Sequence, residues 1–425
     1  MYLADRAAPA RANTAPDGTR RPVRRVSQVV LALGAVSLIT DISSEMVTAV
    51  LPLYLVVSLG LSPLGFGTLD GVYNGVSALV QLTGGHLADR VRNHKLIAGL
   101  GYGLSALCKP LLLFVQSLGP LGLVLALERT GKGLRTSPRD ALISLSTPAE
   151  SRGRAFGVHR AMDTTGAVLG PITAFLILRA ATDGYHAVFG VSACVAVLGV
   201  LVLVLFVPGR RQLAAQGFGG VADSPDRKPV NLREAAALLR LPRLRALTGC
   251  AMLLGLTTVS DAFVYLLLQH RAHIGEEWFP LLPLGTAAVF LLLAVPAGVL
   301  ADRVGRRVVF LAGHAGLLAG YALLLWAPAV PALPYLVLAL HGTFYAATDG
   351  VLPAAVSDVV PEELRGSGLA LVGTGQALAR FCCSLAFGAA WTVWGDTRAL
   401  FGSAVGLLLC AVAAGIVLRP ASGRR

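Results

Sequence analysis

Long apolar runs broken by short polar joints dominate this 425-residue chain. Runs of membrane length fall at about 28–56, 66–88, 96–117, 119–142, 155–179, 187–207, 245–269, 280–301, 308–328, 335–357, 368–393 and 399–418. A helix rises 1.5 Å per residue, so each run is long enough to cross a bilayer of about 30 Å. Helices also satisfy their own backbone hydrogen bonds, as lipid requires. The pattern therefore predicts twelve spanning helices. Two polar stretches stand outside it. Residues 1–25, rich in Ala, Pro and Arg, read as a disordered basic tail without a cleavable signal pattern. Residues 208–243 read as a linker that divides the chain near its midpoint into helical halves at 26–207 and 244–418, with a short tail at 419–425.

Composition agrees with a lipid solvent. Hydrophobic residues make up 55% of the chain and charged residues only 14%, against about a quarter in soluble domains. The net charge of +13 raises nucleic acid as a partner, but its placement argues against one. Assigning the termini, the even-numbered joints and the linker to one side gives that side 26 of the 36 Lys and Arg residues. The other side holds Arg179, Arg271 and Arg398. The positive-inside rule then puts both termini in the cytoplasm and the chain in the inner membrane. The six Cys lie in apolar runs without CxxC spacing and read as buried thiols.

An internal repeat is visible at an offset of 213 residues. Gly85-His-Leu-Ala-Asp89-Arg90 recurs as Gly298-Val-Leu-Ala-Asp302-Arg303, and Pro148-Ala-Glu-Ser-Arg-Gly153 recurs as Pro361-Glu-Glu-Leu-Arg-Gly366. Parallel six-helix repeats with a site at the bilayer midplane are an architecture of secondary transporters. The second copy continues through Gly305, Arg306 and Arg307, and this stretch resembles the GxLADRxGRR loop motif of the major facilitator superfamily. Arg129-Thr-Gly-Lys132-Gly133 resembles the RxxQG motif of proton-coupled drug exporters, with Lys in the Gln place. Gly166-Ala-Val-Leu-Gly170-Pro171 resembles the start of the antiporter motif GxxxGPxxGG, whose last glycines are here Thr173 and Ala174. The strings at 128–140 and 152–163 resemble a prokaryotic branch of the family. The resemblance implies an all-α membrane fold of two six-helix bundles working by alternating access. It also implies a conformational gate on the cytoplasmic side at Gly85, Asp89, Arg90, Gly298, Asp302, Arg303, Gly305, Arg306 and Arg307. A carboxylate beside basic residues can hold a neighbouring helix end shut and release it when the halves rock.

Charges inside spans are costly and mark candidate function. Ser37, Asp41, Ser44 and Thr48 form one helical stripe, with Glu45 beside it one turn after Asp41. Two acids a turn apart repel, which suits a proton carrier. Glu128, Lys132, Arg135 and Arg139 form a second stripe, flanked by Arg129, that lipid would reject. Arg129 is the candidate to tune a carboxylate. Arg135, Arg139 and Asp140 approach the interface and are assigned to snorkelling and the gate. Asp163 with Arg160 adds a further acid and base. Asp70, Asp261, Asp349 and Arg380 are secondary cavity candidates, and Asp349 and Arg380 can pair across the bundle.

There is no GxxxxGK[ST], HExxH or GxSxG, so neither an enzyme nor a cofactor is expected. His270 and His273 near Glu276 and Glu277 read as interface residues before a metal site. The expected function is proton-coupled efflux of a small organic molecule by a monomer in the bilayer. Proton-linked uptake of a metabolite or anion is the alternative, and a membrane sensor or intramembrane enzyme is a reading from another class.

Overall fold

The computed structural model describes residues 27–91, 94–147, 151–208, 238–328, 330–360 and 365–418. The two tails and most of the linker lie outside the described residues, as do the side chains of Gly85, Asp89 and Arg90. The described residues contain helices and no strand. In chain order these are α1 (Gln28–Leu53), α2 (Pro63–Val91), α3 (His94–Leu111), α4 (Leu118–Leu145), α5 (Arg152–Ala180) and α6 (Gly184–Phe206). The second half holds α7 (Pro242–Gly255), α8 (Asp261–Ala272), α9 (Leu282–Val304), α10 (Arg306–Trp326), α11 (Leu333–Thr348), α12 (Val351–Val359), α13 (Arg365–Trp394) and α14 (Asp396–Val417).

Local chemistry explains several boundaries. Ser27 caps α1 by accepting from the Val29 amide at 3.3 Å. Pro52 removes a backbone donor near the end of α1, and the chain continues as a π turn over Tyr54–Ser58. Pro110 lies one residue before the end of α3, so span three ends at Leu111 rather than near 117. Gly305 joins α9 to α10 with φ of 98°, a left-handed conformation that a side chain resists. The loop-motif glycine is thus required by the turn.

Two expected spans are broken. Span seven divides into α7 and α8, and span ten into α11 and α12 at Asp349 and Gly350. Hydropathy along the sequence cannot see this, because both runs stay apolar on average across the breaks. The freed backbone groups at the first break find partners: Tyr321 Oη accepts from the Val259 amide at 2.8 Å, and the Cys383 thiol donates to the Thr258 carbonyl at 3.3 Å. Counting each broken pair as one crossing, the described helices make twelve. Seven of the helices are long and apolar enough to cross a membrane on length and composition alone.

Large apolar side chains such as Leu107, Phe114, Leu205, Leu292 and Val295 face outward, as a lipid-facing bundle demands. In the first half α1 packs on α5 and α6, and α4 packs on α2 and α3. In the second half α11 packs on α9 and α10, and α13 on α7 and α14. Cys108, Cys250 and Cys383 are buried, whereas Cys194 and Cys382 are exposed. An apolar run does not say which side of its helix faces the core, so the expectation of buried thiols fails for those two.

Candidate functional site: a charge ladder and an open cavity

The two polar stripes of the first half face each other. α1 and α4 bring their charges together in antiparallel register, one helical turn per rung. Arg139 donates to Ser37 at 3.3 Å, Arg135 pairs with Asp41 at 3.1 Å, and Lys132 pairs with Glu45 at 3.2 Å. At the next rung Glu128 is held between Lys109 of α3 at 3.1 Å and Arg129 at 2.7 Å. Arg129 also lies 3.7 Å from the centroid of the Tyr73 ring, and Arg135 4.6 Å from that of Tyr102. Asp163 of α5 closes the ladder at the other end, taking Arg139 at 3.4 Å and Arg160 at 3.2 Å. Arg139 pairs with Asp140 as well.

Burial varies along the ladder. Lys109, Glu128, Arg129 and Arg135 are buried, so their charges depend on one another for stability. The Lys132–Glu45 pair is the open rung, with side chains 30% and 26% exposed. Gly166 and Gly170 of α5 face α1 here. A Cβ at Gly170 would stand 2.7 Å from Glu45 Cβ, and one at Gly166 would strike the Leu38 backbone. The motif glycines therefore let α5 and α1 touch at the level of the acids, with Pro171 in the same helix.

Arg135 and Arg139 find their ion-pair partners within the first half. Both point into the first half, because the stripe that carries them continues unbroken from Glu128. The second-half gate residues also find partners within their own half. Arg306 reaches the Asp358 carboxylate and the Ala354 carbonyl, and Arg307 reaches the Gly415 carbonyl. Asp302 is 73% exposed and has Arg306 at 3.9 Å. Gly298 packs openly, and Arg303 is exposed.

The halves meet at the end opposite Asp302. The Leu64 amide donates to Thr392 Oγ1 at 2.9 Å, and Tyr185 Oη donates to Glu276 at 2.9 Å. Phe66 meets Phe263, and Phe175 meets Trp278, with centroids 4.8 and 4.9 Å apart. Gly67 and Gly71 of α2 let Ser384 and Phe381 of α13 approach, where a Cβ at Gly67 would strike the Ser384 carbonyl. Asp70 sits within this seam, accepting from Ser384 Oγ at 2.5 Å and from Asn74 at 3.2 Å. It bridges α2 of the first half to α13 of the second.

The second half has a different polar centre. Asp261, the first residue of α8, accepts from Tyr345 Oη at 2.6 Å and has His341 Nε2 at 3.0 Å. Asp349 and Arg380 line a cavity of about 70 Å³ at the broken span ten. They form no ion pair within 4.0 Å with each other or with another described residue, contrary to the expected pairing. Among the described residues, no group of three His, Cys, Asp or Glu could hold a metal. His270 instead lies 3.5 Å from Asp396.

Lys109, Tyr73, Tyr102, His341 and Tyr345 complete these networks and were not singled out from the sequence. Lys109 had a signal, a cation inside an apolar run just before Pro110. The tyrosines and His341 had none, since such residues are common in spans.

A polytopic helical bundle with polar groups turned inward is the architecture a membrane transporter requires. The sequence model of the Major Facilitator Superfamily matches residues 33–291 and 279–425. An uncharacterised MFS-type transporter of Methanocaldococcus jannaschii is 30% identical over 396 residues, 91% of this chain and 94% of that one. An uncharacterised Mycobacterium tuberculosis protein is 32% identical over 174 residues, 41% of this chain and 42% of that one. Among solved structures, the nucleoside transporter NupG superposes with a TM-score of 0.77 at 13% identity, covering 92% of this chain and 99% of that one. A D-xylose-proton symporter gives 0.67 at 17% identity, covering 93% and 98%. These two likenesses concern the fold alone. The chain belongs to the major facilitator superfamily.

Proposed function

We propose that this protein is a proton-coupled exporter of a small organic molecule, acting as a monomer in the inner membrane with both termini cytoplasmic. Residues 26–207 and 244–418 rock as two halves about a central site. The observation that carries the coupling is the Glu45–Lys132 rung, the least buried ion pair between α1 and α4. Water can reach it, so a proton can replace Lys132 as the partner of Glu45. Release of Lys132 then changes the electrostatics of the whole ladder, because Asp41 and Arg135 are one turn away. Arg129 and Glu128 anchor the buried end against which that change acts. A proton bound more tightly in one facing state than in the other biases the equilibrium, which is the physical requirement for coupling.

The export direction draws support from Gly166 and Gly170, which press α5 onto α1 beside Glu45. The closed seam around Leu64, Gly67 and Thr392, with Asp302 exposed at the other end, supports reading the Asp302 loop as a latch released in this form. Its mate at Asp89 belongs to the same proposal. A second carrier is favoured by one observation: Asp70 bridges the halves through neutral donors only.

Proteoliposomes with an imposed pH gradient test the reading. Glu45→Gln should abolish concentrative flux while leaving counterflow exchange. Unchanged concentrative transport removes Glu45, and loss in Asp70→Asn instead transfers the role to the seam. Protons entering as cargo leaves mark export; both moving inward mark uptake, and no flux marks a sensor.

A further inference from the structure

The second half carries a cation and an anion that close no ion pair with each other or with another described residue. Arg380 lies near the middle of α13, and Asp349 lies at the break in span ten, where it is exposed to the cavity. Both line the cavity of about 70 Å³ without approaching within 4.0 Å of each other. The neighbouring Asp261 acts on Arg380 electrostatically, but its own hydrogen-bond partners are Tyr345 and His341. Two further polar groups face the space. His314 lies 2.8 Å from the Phe310 carbonyl through Nδ1, and since a carbonyl only accepts, Nδ1 carries the proton and Nε2 is left as the other ring site. Gln376 lies one turn before Arg380 on α13 and offers both a donor and an acceptor.

We infer that this cavity is the cargo head-group site and that it recognises a compact zwitterion of the α-amino acid class. The inference rests on the transport reading above and names its substrate class. The carboxylate of the ligand takes the Arg380 guanidinium, which can bind it in a two-pronged manner, with Gln376 beside it. The ammonium takes Asp349. Other ligand classes fit less well. A plain anion would be drawn by Arg380 and repelled by Asp349, and a plain cation would meet the reverse. A neutral solute would displace water from both charges and match neither. The space is about half of the 150 Å³ that holds a benzene ring. It therefore takes the charged head of the ligand. Phe310 and Phe344 wall the cavity and keep the head from hydrating freely. The first half cannot supply this recognition, because its cations are already paired with its acids along the ladder.

The test uses the full chain in lipid nanodiscs and calorimetric titration with glycine, L-alanine and L-leucine, beside N-acetyl-leucine and leucine methyl ester. At least one free amino acid should bind, and each blocked form should bind leucine's site at least about tenfold more weakly, because one charge is left unpaired. Arg380→Gln should lose binding and Arg380→Lys should keep part of it, with thermal melting unchanged in both. Asp349→Asn should reverse the preference towards N-acetyl-leucine, an outcome that mere damage to the fold would not produce. The inference is overturned if no free amino acid binds the folded protein, if blocked and free forms bind alike, or if the variants bind as the wild type does. Flux in proteoliposomes separates this from the transport reading. Amino-acid binding without proton-linked flux keeps the site and removes the coupling, whereas proton-linked flux of other solutes without amino-acid binding does the opposite.

Discussion

The two halves of the bundle handle buried charge in opposite ways. In the first half, α1, α4 and α5 set acids against bases rung by rung, from Glu128 between Lys109 and Arg129 to Asp163 between Arg139 and Arg160. In the second half Asp261 is satisfied by a tyrosine and a histidine, while Arg380 and Asp349 face a shared space without closing on each other. A ladder of closed pairs holds helices in register and transmits a change at one rung to the next. An open pair is suited to meeting something from outside. On the function proposed above, the first half supplies structure and coupling and the second recognition.

Substitutions can break this contrast. The largest effect is expected at Glu128, whose removal strands Lys109 and Arg129 in the interior. Glu128→Ala should cost about 3–5 kcal/mol, read as a fall in thermal stability of the purified protein. A loss below about 1 kcal/mol would mean that the ladder does not hold the fold. The sharpest contrast lies between two arginines. Arg135→Gln removes the ion-pair partner of Asp41 and should destabilise by about 3 kcal/mol, whereas Arg380→Gln should change stability by less than about 1 kcal/mol, since no ion pair is broken. Equal losses in the two variants would erase the distinction.

Smaller effects concern the seam and the surfaces. Gly67→Val drives a side chain into the Ser384 carbonyl and should disfavour the closed far end by about 1–3 kcal/mol. Labelling of a cysteine placed at Leu64 should then rise; unchanged labelling would show that the contact is not part of the gate. Asp302→Asn should alter melting by less than about 0.5 kcal/mol, because the carboxylate is exposed and its one close cation among the described residues is at 3.9 Å. Its effect should appear in the populations of the facing states. The smallest effect is at Asp183, in the joint before α6, where a hydrogen bond with His186 at 2.8 Å holds the carboxyl below its usual range. A lowered folded-state value stabilises above the ordinary carboxylate range and is lost as pH falls through it. Melting of wild type and His186→Ala should therefore differ slightly near neutrality and converge in acid.

Much of this could be read along the chain. The stripe from Ser37 to Thr48 and the stripe from Glu128 to Arg139 both follow helical spacing, and they do turn inward. The duplicated loop motif announces the fold. Other features were hidden. Lys109 carries no periodic partner on its own helix, so its pairing with Glu128 across α3 and α4 was out of reach. The breaks at Gly255 and Gly350 were invisible to hydropathy, because a kinked apolar helix and a straight one have the same composition. Arg139 was read as a gate residue because it lies near the end of its run, whereas it pairs with Asp163 inside the first half.

The sequence by itself determined that the chain lives in lipid, how many times it crosses, and which side of α1 and α4 is polar. Those properties depend on the transfer energy of residues and on a 3.6-residue period, both local. Only the tertiary structure decided which acid meets which base. That choice depends on the rotation and crossing of whole helices and on the glycine contacts that set their spacing.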